Sequence, residues 1–178
     1  MKTLILFVAL VDLLTASASE SNAIQLINKG NEGGTVYQTV NIYNNANIAA
    51  FNTYFGTHSA NALVDYNAGL LVYQLPYKRI CIVSRMNRDT FPSISQLDNY
   101  VHEKNPSLHS LHRNYGISRK VVKNLYQLGR PIQAMCGGFL TYWATEFQTP
   151  DPLVGGKACA GLNLLILDVS LCGGISLF

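Results

Sequence analysis

The sequence predicts an α+β fold: a small, mainly antiparallel β-sheet with two helices. Apolar and polar residues alternate through Thr35 to Tyr43, the pattern of a strand with one buried face. After Pro92 the spacing turns helical, with Ile94, Leu97, Tyr100 and Val101 falling on one face. No segment repeats at a fixed period, which excludes a solenoid. At 178 residues the chain is one domain's worth, or one domain with an appendage.

The first segment reads as a leader. Met1-Lys2 gives a positive start and Leu4 to Leu14 an apolar core too short to span a bilayer. Ala16-Ser17-Ala18 offers a small-x-small cleavage site, so residues 1–18 are expected to be removed before Ser19, although Asp12 interrupts the apolar core. Removal takes one base, Lys2, and one acid, Asp12, and the net charge of +3 persists. No later apolar run is long enough for a membrane span, so the expectation is a secreted protein. Asn105-Pro106-Ser107 carries proline where a glycosylation acceptor forbids it.

Residues 19–50 read as a β-rich segment, 51–147 as the central domain and 148–178 as an apolar C-terminal piece. Thr35 to Tyr43 forms a strand and Asn44-Asn45 a turn, and Ile48 to Phe55 forms the next strand, ending at Gly56. Asp65-Tyr66-Asn67-Ala68-Gly69 is a second turn, leading to strands at Leu70 to Leu75 and Arg79 to Met86. Four strands with short polar turns make an antiparallel meander. Beyond the helix at Ile94, Asn105 to Ser118 has no period and carries Pro, Ser, His and Gly, and reads as a mobile loop. A second helical segment is expected from about Arg119 to Cys136, broken near Gly129-Arg130-Pro131 and stopped by Gly137-Gly138. Leu140 to Phe147 alternates again, with Trp143 and Phe147 on one face. Thr149-Pro150-Asp151-Pro152 and Gly155-Gly156 then set off the C-terminal piece.

Charge is scarce and local. Charged residues are 13% of the chain against 48% hydrophobic, which excludes a disordered tail and a nucleic-acid-binding polycation. Between Lys78 and Arg130 there are ten bases and three acids, a balance of +7, whereas Ser21 to Tyr77 holds only Lys29, Glu32 and Asp65. Signs of catalysis are weak. His102, His109 and His112 lack cysteine or carboxylate support at ligand spacing, so no metal is expected. No nucleophile elbow, phosphate loop or dinucleotide fingerprint occurs, and neither an enzyme nor a cofactor is expected.

Cys81, Cys136, Cys159 and Cys172 can pair in three ways, and an even number suits a secreted domain. Pairing neighbours would keep each bridge within its own segment. A 159–172 bridge forces a chain reversal that has no clear turn signal, Asn163 and Asp168 being the only candidates.

Asp65 to Gly69, Lys78-Arg79-Ile80-Cys81-Ile82-Val83-Ser84-Arg85-Met86-Asn87 and Pro92-Ser93-Ile94-Ser95-Gln96-Leu97-Asp98 together resemble the gastrokines. Met135-Cys136-Gly137, Tyr142 and the Cys159-x12-Cys172 tail continue the resemblance. Gastrokines are secreted gastric-mucosal proteins built on a BRICHOS domain, here about Phe51 to Phe147. The resemblance implies a small sheet flanked by two helices, a family aspartate at Asp65, and a disulfide between Cys81 and Cys136. It implies chaperone-like holding of β-prone segments, mucosal protection and restraint of epithelial growth. The family often has proline before the Tyr142 position, where this chain reads Leu140-Thr141. Some members carry a further cysteine upstream of the aspartate. This chain has Gly56-Thr57-His58-Ser59 there, so no disulfide-linked partner is expected.

Physical readings accompany the resemblance. Leu162 to Leu171 is apolar and β-compatible, with Asp168 its only charge, and a sheet could hold such a segment by strand addition. The central domain would then shield its own C-terminal piece and offer the same surface to β-prone clients or mucosal proteins; the plainer reading is a last hairpin in one core. Asp65, nearly alone in its region, could be buried and act as an acid sensor, while its setting equally fits a turn aspartate capping its own backbone. Arg113, Arg119, Lys120 and Lys123 could meet acidic mucin glycans, or simply form a solvated face. The competing class of function is a secreted ligand for an epithelial receptor.

Overall fold

The structure is a computed structural model that describes residues 22–29, 35–54, 56, 59–102, 111–147, 158–164 and 167–173. The leader at 1–18, His109, Asn105-Pro106-Ser107 and the break at 149–156 lie outside the described residues. The strands are β1 (Asn22–Lys29), β2 (Thr35–Tyr43), β3 (Ile48–Tyr54), β4 (Ala60–Asp65), β5 (Leu70–Leu75) and β6 (Ile80–Arg85), then β7 (Leu111–Val121), β8 (Leu140–Phe147), β9 (Ala158–Leu164) and β10 (Leu167–Gly173). Helix α1 (Ile94–His102) lies between β6 and β7, and α2 (Arg130–Cys136) between β7 and β8.

The described strands form one ten-stranded sheet in the order β1-β2-β3-β4-β5-β6-β8-β7-β10-β9. It is larger than expected and mixed: β6 pairs with β8, and β7 with β10, in parallel. Parallel partners need a long crossover, so turn signals between neighbours reveal only the antiparallel part. The α+β class stands, with two α-helices among the described residues and two disulfides.

Local chemistry places the turns. Asn47 takes the left-handed conformation after Asn44–Ala46, one that asparagine tolerates. Gly69 closes the β4–β5 turn with φ of 64°, and a Cβ there would also meet the Arg88 guanidinium at 3.3 Å. Ser93 and Gln96 cap α1 reciprocally: Gln96 N–H donates to Ser93 Oγ at 3.3 Å, and Ser93 N–H to Gln96 Oε1 at 2.9 Å.

The sheet carries a core on each face. On one, α1 buries Leu97 and Val101 with Val40, Phe51, Tyr73, Ile82, Tyr115 and Leu171, and the sheet curls so that β9 approaches β3. On the other, α2 packs Ile132 and Cys136 against Val72, Cys81 and Val83. β4, which the sequence left unassigned, threads small residues between large ones. Ala62 stands opposite Phe51 on one side and Tyr73 on the other.

Two sequence expectations are overturned. The expected loop at Asn105 to Ser118 becomes, from Leu111, an eleven-residue strand inside the sheet, with Tyr115 and Ile117 buried. The expected helix from Arg119 begins as the end of that strand and passes through a 3-10 turn at Leu125–Leu128. Only Arg130–Cys136 is helical. Long-range pairing with β8 and β10 outweighs the poor local signal of these polar residues.

Candidate functional site

The first functional feature is a disulfide. Cys81 on β6 and Cys136 at the end of α2 are both fully buried and bonded, with Cα atoms 5.7 Å apart, which fixes the short helix to the sheet. Cys159 and Cys172 form the second bridge, directly opposite each other in the β9–β10 ladder. All four cysteines are therefore paired. The reversal that the second bridge demands falls between Leu164 and Leu167, and Asn163 and Asp168 face each other just before it.

Asp65 is buried at 5% exposure, and its carboxylate accepts a hydrogen bond from Ala68 N–H at 2.9 Å. It is thus both buried and a cap of its own turn. Arg88 reaches over the same turn to donate to the Tyr66 carbonyl at 2.8 Å.

The third feature is the flank of β7. Residues Leu111 to Gly116 pair in parallel with Leu167 to Cys172. Val169 and Leu171 are fully buried in the α1-side core. An apolar strand of the C-terminal piece has therefore been added to the edge of the central sheet. Sequence reading missed this because β7 itself was hidden; its one local signal is the Tyr115–Ile117 alternation around Gly116.

Of the four cationic residues, Arg113 is set apart from the other three. Arg113 turns into the sheet and donates to Glu146 Oε1 at 2.8 Å and to the Thr90 carbonyl, with its guanidinium 5.8 Å from the Phe91 ring centre. It leaves the proposed glycan set for a physical reason: a guanidinium paired with Glu146 and only 13% exposed offers little of itself to a ligand in solvent. Arg119, Lys120 and Lys123 are exposed. Near Arg113, Tyr73 and Tyr115 pack with ring centres 5.5 Å apart. Burial pushes the Tyr115 phenol up to about 12 and raises that of Tyr73 well above its ordinary value.

His102 pairs with Asp98 at 3.4 Å and His112 with Asp168 at 3.1 Å, which separates the two histidines. Among the described residues no group of three His, Cys, Asp or Glu side chains could hold a metal ion, and no helix is long and apolar enough to cross a membrane.

Two helices on a curled sheet, a buried strand-to-helix disulfide and a buried turn aspartate define a BRICHOS-type domain, and the BRICHOS domain family matches residues 56–143. The chain is 36% identical to gastrokine-1 of Sus scrofa and 32% identical to gastrokine-1 of Homo sapiens, over 99% and 97% of both chains respectively. It is 28% identical to gastrokine-2 of Rattus norvegicus over 99% of this chain and 100% of that one. The chain belongs to the gastrokine family of BRICHOS-domain proteins. No solved structure matches it significantly.

Proposed function

We propose that this protein is a secreted, chaperone-like binding protein of the gastric mucosa that holds β-prone polypeptide segments by strand addition. The supporting observation is the β7–β10 ladder, in which the domain edge already carries an apolar strand of its own chain. Main-chain hydrogen bonds supply affinity in such pairing, and alternate side chains entering a core supply selectivity. Val169 and Leu171 play that second part here. The hairpin β9–β10, closed by Cys159–Cys172, is then a built-in occupant whose displacement frees the edge for clients. Secretion is supported by the leader-like start and by two disulfides, which persist in oxidising compartments. Mucosal protection and restraint of epithelial growth would be downstream of client binding, and the family resemblance suggests both.

The test is deletion of residues 158–178. The shortened protein should bind more hydrophobic dye and delay fibril growth of an amyloid-forming peptide more strongly. Adding back the disulfide-closed peptide 158–178 should reverse both effects. A folded deletion protein with unchanged dye binding and anti-fibril activity removes the proposal and leaves a hairpin that merely completes the core. A receptor-ligand role would instead appear as growth restraint in epithelial cells without any delay of fibrils.

A further inference from the structure

A cleft of about 710 Å³ opens where β6 and β8 part. Their parallel ladder runs from Ile80↔Leu140 to Ser84↔Ala144 and stops, and the chain segments beyond diverge. Arg85 comes from one side, Trp143, Thr145 and Phe147 from the other, and Ser118 and Lys120 from β7. Ser118 and Lys120 stand in the irregular stretch of β7 between Ile117 and Val121, beyond the part that β10 covers. Such bulges re-aim side chains that a regular strand would point elsewhere.

We propose that this cleft binds an acidic saccharide, a sugar ring bearing a carboxylate or sulfate. Its charge is one argument. Arg85 and Lys120 are exposed, and among the described residues neither has an acidic partner. Among the described lining residues the one carboxylate, Glu146, is paired with Arg113 at 2.8 Å. Among the described residues an anion entering there meets two cations without acidic partners and no unpaired carboxylate, and charge-assisted hydrogen bonds to it are about twice as strong as neutral ones.

The shape and chemistry of the lining supply the other argument. Trp143 is partly buried against the α2-side core and so is held from behind as a fixed aromatic plate. Phe147 shares its face of β8 four residues on, with Thr145 between them. The C–H face of a pyranose packs on such a plate while the ring hydroxyls reach Ser118 and Thr145. An extended peptide fits less well. Only Arg85 of β6 and Thr145 to Phe147 of β8 run past the end of the ladder, less than the usual strand of about 5–6 residues. The site lies apart from the β7–β10 ladder, and its fate is independent of the strand-addition reading.

Trp143 is the only tryptophan in the chain, so its fluorescence reports on this cleft alone. Titration with 3′-sialyllactose and with 6-sulfolactose should change Trp143 emission saturably, and the two arms distinguish carboxylate from sulfate as the preferred anion. Lactose should bind at least about tenfold more weakly, and Arg85→Ala and Lys120→Ala should each weaken the preferred acidic sugar by about tenfold, the worth of one hydrogen bond to a charged group. Arg119→Ala and Lys123→Ala, exposed residues outside the cleft lining, should leave binding unchanged. The proposal is overturned by no saturable change with either acidic sugar up to about 10 mM, ten times a Kd of about 1 mM. It is equally overturned if lactose or a hexaglutamate peptide binds as well as the acidic sugars, or if Arg85→Ala and Lys120→Ala bind like the parent.

Discussion

Arg113 Nη1 stands 2.8 Å from Glu146 Oε1, with the two side chains only 13% and 18% exposed, so a pair of opposite charges is built into the rim of the α1-side core. Removing one partner leaves the other charge desolvated and unpaired. Arg113→Ala should therefore cost about 2–3 kcal/mol, below the 3–5 of a fully buried pair because both groups keep some solvent. Urea unfolding checks it. Arg113→Met combined with Glu146→Leu should be less destabilised than either single variant, and greater damage in the double variant would show that the pair is not the source of the loss.

The Cys81–Cys136 bridge closes a loop of 55 residues. Loop-closure entropy assigns it about 4 kcal/mol, against about 3 for the Cys159–Cys172 bridge, whose separation is 13. Replacing both cysteines of the longer loop by alanine should lower the unfolding midpoint more than the same change at the shorter one. Non-reducing peptide mapping of the parent identifies which pairs exist in solution.

Asp65 offers a comparison of two substitutions. Asn keeps an oxygen to accept from Ala68 N–H, whereas Ala leaves that donor without its partner. Asp65→Ala should be destabilised by about 1–2 kcal/mol, and Asp65→Asn by less, as read from thermal melts. Sizing chromatography of Asp65→Asn across pH addresses the sensor role as well. An oligomer size that varies with pH as in the parent would exclude Asp65 as the sensor.

Tyr66, Tyr73 and Tyr115 set an alkaline limit. Burial raises all three phenols, Tyr115 to about 12, while an unfolded chain titrates near 10. The folded state holds these protons more tightly than the unfolded one. The stabilisation they bring is complete below pH 10 and is lost as pH rises toward 12. Absorbance at 295 nm should show Tyr66, Tyr73 and Tyr115 as a late group that ionises with loss of the fold. A single ionisation step before any unfolding would contradict the burial of these rings.

Gly173 ends β10 where a Cβ would lie 3.1 Å from the Ile117 Cβ. Gly173→Val should push β10 from β7 at a cost of about 1–3 kcal/mol, in the range of core overpacking. Amide exchange in β10 should quicken while that in β5 and β6 stays slow. If the strand-addition reading holds, dye binding rises with it, a milder counterpart of the deletion.

The parts legible in sequence are those with local chemistry. Val40 and Ile42 alternate with polar residues, Ile94, Leu97 and Val101 fall at helical spacing, and Gly137-Gly138 marks where the second helix stops. The rest depended on distant partners. Ala62 is a weak strand former that persists because Phe51 and Tyr73 stand on either side of it. His112, Arg113 and Asn114 look like loop residues until Asp168 and Glu146 arrive from elsewhere in the chain. The neighbouring pairing of cysteines was one of three open choices, and Asp65 proved to be buried and capping at once. The cleft beside Trp143 was hidden because its two cations and its aromatic plate come from three separate strands.

The parallel ladder between β7 and β10 also has a consequence in time. A ribosome completes β7 well before β10, and at about 5–20 residues per second the interval of some fifty residues lasts about 2–10 s. Through that interval the flank of β7 has no partner from its own chain. On the strand-addition reading, the vacancy that a finished molecule would expose only by releasing its hairpin is thus present in every nascent copy. Newly made protein would then pass through its most adhesive state before it is finished, and the arrival of β10 would end it.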